Sequence, residues 1–127
     1  MPKPTLKSIT RRLDNIVRQI VVSRDVRCVT CGCNETLQVS HYISRSHIST
    51  RWDLRNCNLQ CSRCHLKDFH GGFVSQYQNY LKLKHGKDII VTLEQEGRKL
   101  ANEVGLNKLF QREELYNRLK VQLSEYK

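Results

Sequence analysis

Two pairs of cysteines carry the strongest chemical signal in the 127-residue chain: Cys28-Val-Thr-Cys31-Gly32 and Cys61-Ser-Arg-Cys64, with 29 residues between them. Each CxxC can present two thiolates to one tetrahedral ion at about 2.3 Å, and four sulfurs make a closed, structural zinc site. Closing the long intervening loop costs about 3 kcal/mol by the logarithmic rule. Structural zinc returns roughly 10 to 16 kcal/mol, so the spacing predicts Zn²⁺ held by Cys28, Cys31, Cys61 and Cys64. Cys33 and Cys57 lack a CxxC partner and read as packing thiols, although either could replace a named ligand.

The elements that must position these residues fall into three zones of one α+β domain spanning residues 1–127. In residues 1–26, Leu13, Ile16, Val17, Ile20 and Val21 recur at helical spacing, with Ser8 as the expected cap and an end near Ser23. Residues 27–72 change to short β-like pieces, of which Leu37 to Ile43 is the clearest. Residues 73–127 read as helices: Phe73 to Lys84 stopped by Gly86, Leu93 to Val104 boxed by Thr92 and Gln95, and about Asn107 to Tyr126. In the last of these, Leu109, Tyr116, Leu119, Leu123 and Tyr126 form a stripe that suits either the chain's own core or a dimer seam.

Charge points to a polyanionic partner. The net charge is +10, and residues 1–64 hold eleven basic and four acidic side chains, nine of the eleven being Arg. No apolar run exceeds three residues, which excludes a spanning helix. The start lacks the apolar stretch of a signal peptide, so a reducing cytoplasm is the expected location.

Between and after the cysteine pairs stand Ser40-His41-Tyr42, Arg55-Asn56-Cys57-Asn58, and His65 directly after Cys64. The order His, Asn, His within CxxCG…CxxCH resembles the zinc-bearing HNH endonucleases. That resemblance implies a zinc-pinned ββα-metal centre, in which the first His ends a strand, the Asn sits in the turn or second strand, and the last His opens a helix around one divalent ion. More narrowly, Cys28 to Gly32, His41-Tyr42, Arg51 to Asn56, Gln60 to Cys64 and the helical tail are similar to the NinG or Rap recombination endonucleases of lambdoid phages. The narrower likeness implies cleavage of branched DNA such as Holliday junctions or forks during recombination.

In-line phosphodiester cleavage needs a base for water, a cation on the leaving oxygen and positive groups around the phosphate. His41 is the expected general base, since an imidazole titrates near pH 6.5. His65 is the expected ligand of a catalytic Mg²⁺ or Mn²⁺, while Asn56 either binds that ion or orients His41. Arg45, Arg51, Arg55 and Lys67 are the expected phosphate contacts, and Arg63 reads as solvated. Many HNH enzymes carry Asp directly before the catalytic His, whereas this chain has Ser40. A hydroxyl is a poorer ligand for a hard cation, so Asp68, better placed than His70 or His47, is expected to complete the set. Trp52 could stack on an unpaired base, but a core position suits it better.

A zinc-stabilised DNA-binding module without catalysis is the alternative, and an adaptor for RNA or an acidic protein is another. Against both stands the crowding of basic residues in the hairpin region, not on a recognition helix. Symmetric cutting of a four-way junction would suit a homodimer.

Overall fold

The computed structural model describes residues 3–70 and 74–126, with the side chains of residues 68–70 outside that description. Helix α1 (Leu6–Asp25) starts three residues earlier than its apolar stripe suggests, because Thr5 and not Ser8 is the cap. The Thr5 hydroxyl accepts from the Ser8 N–H at 3.1 Å, and the Ser8 hydroxyl accepts from the Thr5 N–H at 2.9 Å, a reciprocal box. Ile9, Leu13, Ile16, Val17, Ile20 and Val21 make the buried face. The helix ends at Val26, which turns the chain with φ of 66°.

A latch at this end ties α1 to the sheet. Arg24 is fork-bonded to Asp25 at 2.7 and 2.9 Å and donates to the carbonyls of Leu54 and Cys57 at 2.8 and 2.7 Å. Asp25, its side chain fully buried, in turn accepts from the Leu59 N–H at 3.0 Å. A buried carboxylate tolerates this position because two guanidinium N–H groups and a backbone N–H meet it.

The sheet is a two-stranded antiparallel pair, β1 (Leu37–His41) with β2 (Cys57–Cys61), in a register that sets His41 opposite Cys57 and Leu37 opposite Cys61. All five residues of β2 are buried. The connection between the strands carries one short helix, α2 (Ile48–Arg51), and α3 (Ser62–His70) follows β2 without a break. Strand, strand and helix thus succeed one another in the order expected, with His41 ending β1 and Asn56 directly preceding β2.

Behind them come α4 (Ser75–His85), α5 (Ile89–Gly97) and α6 (Leu109–Ser124). Gly86 closes α4 as expected, at φ of 100°, a value that favours glycine. The next helix differs from expectation: it spans 89–97, Thr92 lies inside it, and residues from 98 to 107 form turns and bends. Tertiary packing decides this. Ile89 and Leu93, one turn apart, bury against Tyr77 and Leu81 of α4, and that contact outweighs the local Thr92–Gln95 capping signal. Gly97 is needed where α5 crosses Ile43, since a Cβ there would meet Ile43 Cγ2 at 2.9 Å.

The α6 stripe packs on the chain's own core. Leu119 and Leu123 are buried with the α1 face, Cys57, Leu59 and Trp52, while Leu109, Leu115 and Tyr116 pack against that cluster. The seam the stripe could have offered a second copy is therefore occupied from within. Trp52 is a core residue, with Arg51 and Arg112 guanidiniums against its ring at 5.8 and 5.3 Å.

The α4 helix reaches back to β1 through a buried hydroxyl. Tyr77 donates to the Ser40 carbonyl at 3.0 Å and accepts from Asn58 Nδ2 at 3.0 Å. Tyr77→Phe is expected to lower the unfolding free energy by about 1 to 3 kcal/mol, the cost of stranding buried polar partners. Denaturant titration should show a lower midpoint at an unchanged slope.

Candidate functional site

The two CxxC segments form matching knuckles that face each other. In the first, the Cys28 N–H donates to the Cys33 carbonyl at 2.9 Å and the Gly32 N–H to the Cys28 carbonyl at 2.9 Å, with Gly32 at φ of 80°. Backbone N–H groups also aim at sulfur, Cys31 N at Cys28 Sγ (3.5 Å) and Cys64 N at Cys61 Sγ (3.4 Å). At Cys28 that contact favours the thiolate form. For Cys28, burial works the other way, yet hydrogen bonds led by the Thr30 hydroxyl win and hold its thiol down at about 6.

The sulfurs of Cys28, Cys31, Cys61 and Cys64 all lie within 4.8 Å of one another, and Cys31 Sγ is 3.7 Å from Cys61 Sγ. Sulfurs placed tetrahedrally at 2.3 Å from zinc are about 3.8 Å apart. Four sulfurs with no carboxylate or imidazole among them suit zinc better than a hard cation, so the cluster could hold a structural zinc ion. Cys33 and Cys57 stand outside it. Cys33 Sγ points at the Glu35 carbonyl at 3.7 Å, and Cys57 is sealed in the core with its thiol donating to the Arg51 carbonyl at 3.3 Å. Burial pushes the Cys57 thiol far up, which keeps it protonated. Arg63, expected to be merely solvated, sits beside the Cys31 sulfur.

Beside this cluster, α1, β1 and the β1–α2 connection enclose a groove of about 770 Å³. His41 and His65 both line it, together with Arg45 and Arg51. His41 Nε2 lies 3.0 Å from the Arg51 carbonyl. A carbonyl can only accept, so Nε2 carries the proton and Nδ1 keeps its lone pair. Burial lowers the pKa of His41 below the ordinary 6.5, outweighing the opposing pull of that carbonyl and of Asp14. The ring is therefore neutral at pH 7. His65, fourth residue of α3, has Nδ1 2.8 Å from Gln38 Oε1, which assigns the proton to Nδ1 and the lone pair to Nε2. A ring whose other nitrogen donates to an oxygen is the usual arrangement of a metal-binding histidine.

Other residues singled out in the sequence take different places. Asn56 is fully buried, and its amide serves the backbone of the connection: Oδ1 accepts from Ile43 N at 2.7 Å, and Nδ2 donates to the carbonyls of Ile43 and Thr50 at 3.0 and 3.1 Å. None of those bonds goes to His41, so Asn56 shapes the segment that supplies the Arg51 carbonyl. Arg55 pairs with Asp53 at 3.1 and 2.7 Å and does not line the groove. Lys67 is exposed on α3 and also outside the lining. Ser40 is buried on the strand face opposite His41, its carbonyl held by Tyr77, so its hydroxyl does not enter the groove. His47 is the exposed residue before α2. The side chains of Asp68 and His70 lie outside the described residues.

Three groove residues of α1 were not singled out as site residues in the sequence reading, Asp14, Asn15 and Arg18. Asp14 accepts from Arg51 Nε and Nη2 at 3.0 and 2.7 Å and from Trp52 Nε1 at 2.8 Å. Burial alone would raise its pKa, yet the hydrogen bonds from Arg51 and Trp52 bring it below the ordinary value. The available signal was that Asp14 is the one acid in the first 24 residues, set on a helix otherwise basic and apolar.

Two outcomes follow from this geometry. Cys61→Ser is expected to abolish zinc retention and Cys33→Ser to leave it intact, as metal content measured after dialysis would show. Asp14→Ala is expected to cost about 1 to 3 kcal/mol at pH 7, because the buried Trp52 N–H loses its acceptor. A carboxylate with a lowered folded pKa stabilises above its unfolded value, so the gap between wild type and Asp14→Ala should narrow as pH falls below 3.8. Unfolding curves at pH 7 and at acid pH check both parts.

No curated protein and no solved structure matches the chain. The family model described as Bacteriophage Lambda NinG protein matches residues 3–123, nearly the whole chain. A two-stranded α+β fold with a four-cysteine cluster able to hold zinc, read with that match, makes this chain a member of the phage NinG family.

Proposed function

We propose that the chain is a metal-dependent endonuclease that hydrolyses DNA phosphodiester bonds at an HNH-type ββα-metal centre, with branched DNA such as Holliday junctions or forks as its substrate in phage recombination. The observation that carries this reading is the shared basic groove lined by both His41 and His65, each with one ring nitrogen at hydrogen-bond distance from a carbonyl oxygen.

The chemistry follows from those tautomers. His41, neutral at pH 7, takes the proton of the attacking water at Nδ1 while its Nε2–H stays on the Arg51 carbonyl. Asn56 holds that carbonyl's segment in place and acts as a positioning residue. His65 Nε2, with Asp68 on the same helix, would hold Mg²⁺ or Mn²⁺, which when bound neutralises charge on the phosphate and the leaving oxygen. Arg45 supplies positive charge at the phosphate, with Lys67 as an outlying contact, while Arg51 and Arg55, each paired with a carboxylate, hold the walls. The four cysteines would keep zinc as a purely structural ion, fixing Cys64 and hence His65 next to it. Two symmetric cuts would call for two copies, docked through a face other than the α6 stripe.

Purified protein incubated with Mg²⁺ or Mn²⁺ and with four-way, forked and linear DNA tests the proposal. Wild type is expected to cut branched substrates, and His41→Ala to lose about 10²- to 10⁴-fold in rate while still binding DNA, the usual range for removing a general base. His65→Ala should be inactive. The base works unprotonated and its pKa lies under 6.5, so the rate should rise with pH through an acid limb below that value and then level off. Cutting that survives in both variants would overturn the assignment.

A further inference from the structure

We propose that helix α1 is itself a DNA-contacting wall: Arg18, with Asn15 beside it, and Arg45 across the groove grip the phosphates of one DNA strand running between α1 and the β1–α2 connection. This rests on the DNA reading above and adds a surface that the hairpin-centred reading of the sequence did not include.

The argument begins with which cations are already committed. Three arginines line the groove, Arg18, Arg45 and Arg51. The Arg51 guanidinium is fork-bonded to Asp14 and also donates to the Arg45 carbonyl at 3.3 Å. Its charge is offset and its head is held. Elsewhere in the front half, Arg24 is locked to Asp25, Arg55 to Asp53, and Arg12 lies over the Tyr116 ring at 4.3 Å. Arg18 and the Arg45 side chain have neither an ion pair nor a hydrogen bond among the described residues, and both are exposed. An uncommitted guanidinium costs little to recruit, since no existing bond must break before it meets a phosphate oxygen.

Their setting selects the ligand. Asp14 is the one carboxylate among the groove-lining residues, and Arg51 neutralises it, so Arg18 and Arg45 leave a positive surplus. Exposed Asn15 adds an amide able to donate to a phosphate oxygen or meet a base edge. Val17, Leu37 and Val39 contribute apolar surface to the same cleft. Positive charge above an apolar floor in a concave channel fits a single strand, whose sugars and bases can enter, better than a closed duplex. A strand seated there passes His41 and His65, so gripping and cutting share one path.

The test measures binding alone. Zinc-loaded protein without Mg²⁺ or Mn²⁺ is titrated into a fluorescently labelled single-stranded oligonucleotide and the matching duplex at several salt concentrations. Arg18→Ala and Arg45→Ala are each expected to weaken single-strand binding about tenfold and to reduce the salt slope by about one phosphate contact. Arg118→Ala removes an exposed charge of α6 outside the groove and should cost about twofold at most. Zinc content and circular dichroism of Arg18→Ala should match wild type, because its side chain is exposed. Equal losses in Arg18→Ala and Arg118→Ala would overturn the wall, leaving only general charge. A loss confined to the duplex would overturn the one-strand path. Absence of any DNA binding by wild type would instead sink the DNA reading beneath it.

Discussion

The convergence of four sulfurs on one point is the constraint on which the other features hang. It joins a loop that follows α1 to the junction of β2 and α3, across 29 residues of intervening chain. A two-stranded sheet is marginal by itself, and here its register is set at one end by that cluster: Leu37 pairs with Cys61, a member of the cluster. The groove histidines sit at fixed offsets from this anchor. His65 is the residue after Cys64, and His41 lies four residues along β1 from the Leu37 pairing, so the geometry of the groove is tied to that of the cysteine cluster.

A second tie closes the groove from the other side. Asp14 meets Arg51 and Trp52 with three hydrogen bonds, while the carbonyl of that same Arg51 receives His41 Nε2–H and the Cys57 thiol. One residue therefore links the helix wall, through its side chain, to the imidazole, through its backbone. Asn56 braces the same segment from within, and Tyr77 braces β1 at Ser40 from α4. His41 thus takes one tautomer because the backbone around it has nowhere else to go.

Much of this was legible in the residues. The cysteine pairing, a strand starting at Leu37 and the α1 apolar face follow from spacing, since short-range periodicity and metal-ligand geometry dictate them, whereas a strand ending at His41 and a helix carrying His65 were implied by the HNH resemblance. What escaped depends on contacts distant in sequence. Helix α5 runs from Ile89 because Tyr77 and Leu81 receive its apolar face, which no local capping rule could show. Asn56 reads equally well as a ligand or an orienter until its amide is seen on Ile43 and Thr50. Asp14 looked like one acid on a basic helix until Arg51, 37 residues away, supplied its partner.

The arginines make the same point about charge. Nine arginines in the first half suggest a surface uniformly ready for phosphate, yet folding turns several into struts. Arg24 joins α1 to β2, Arg51 joins α2 to α1, and Arg55 closes the turn that begins at Asp53. In each case a carboxylate cancels the charge, so the count of basic residues overstates the field available to a ligand. What reaches an incoming polyanion is set by the side chains that the fold leaves unpaired, and their positions follow from the geometry of the struts. A groove framed this way keeps its shape when a strand enters, because the arginines that hold its walls are separate from Arg18 and Arg45, whose heads remain available to the ligand.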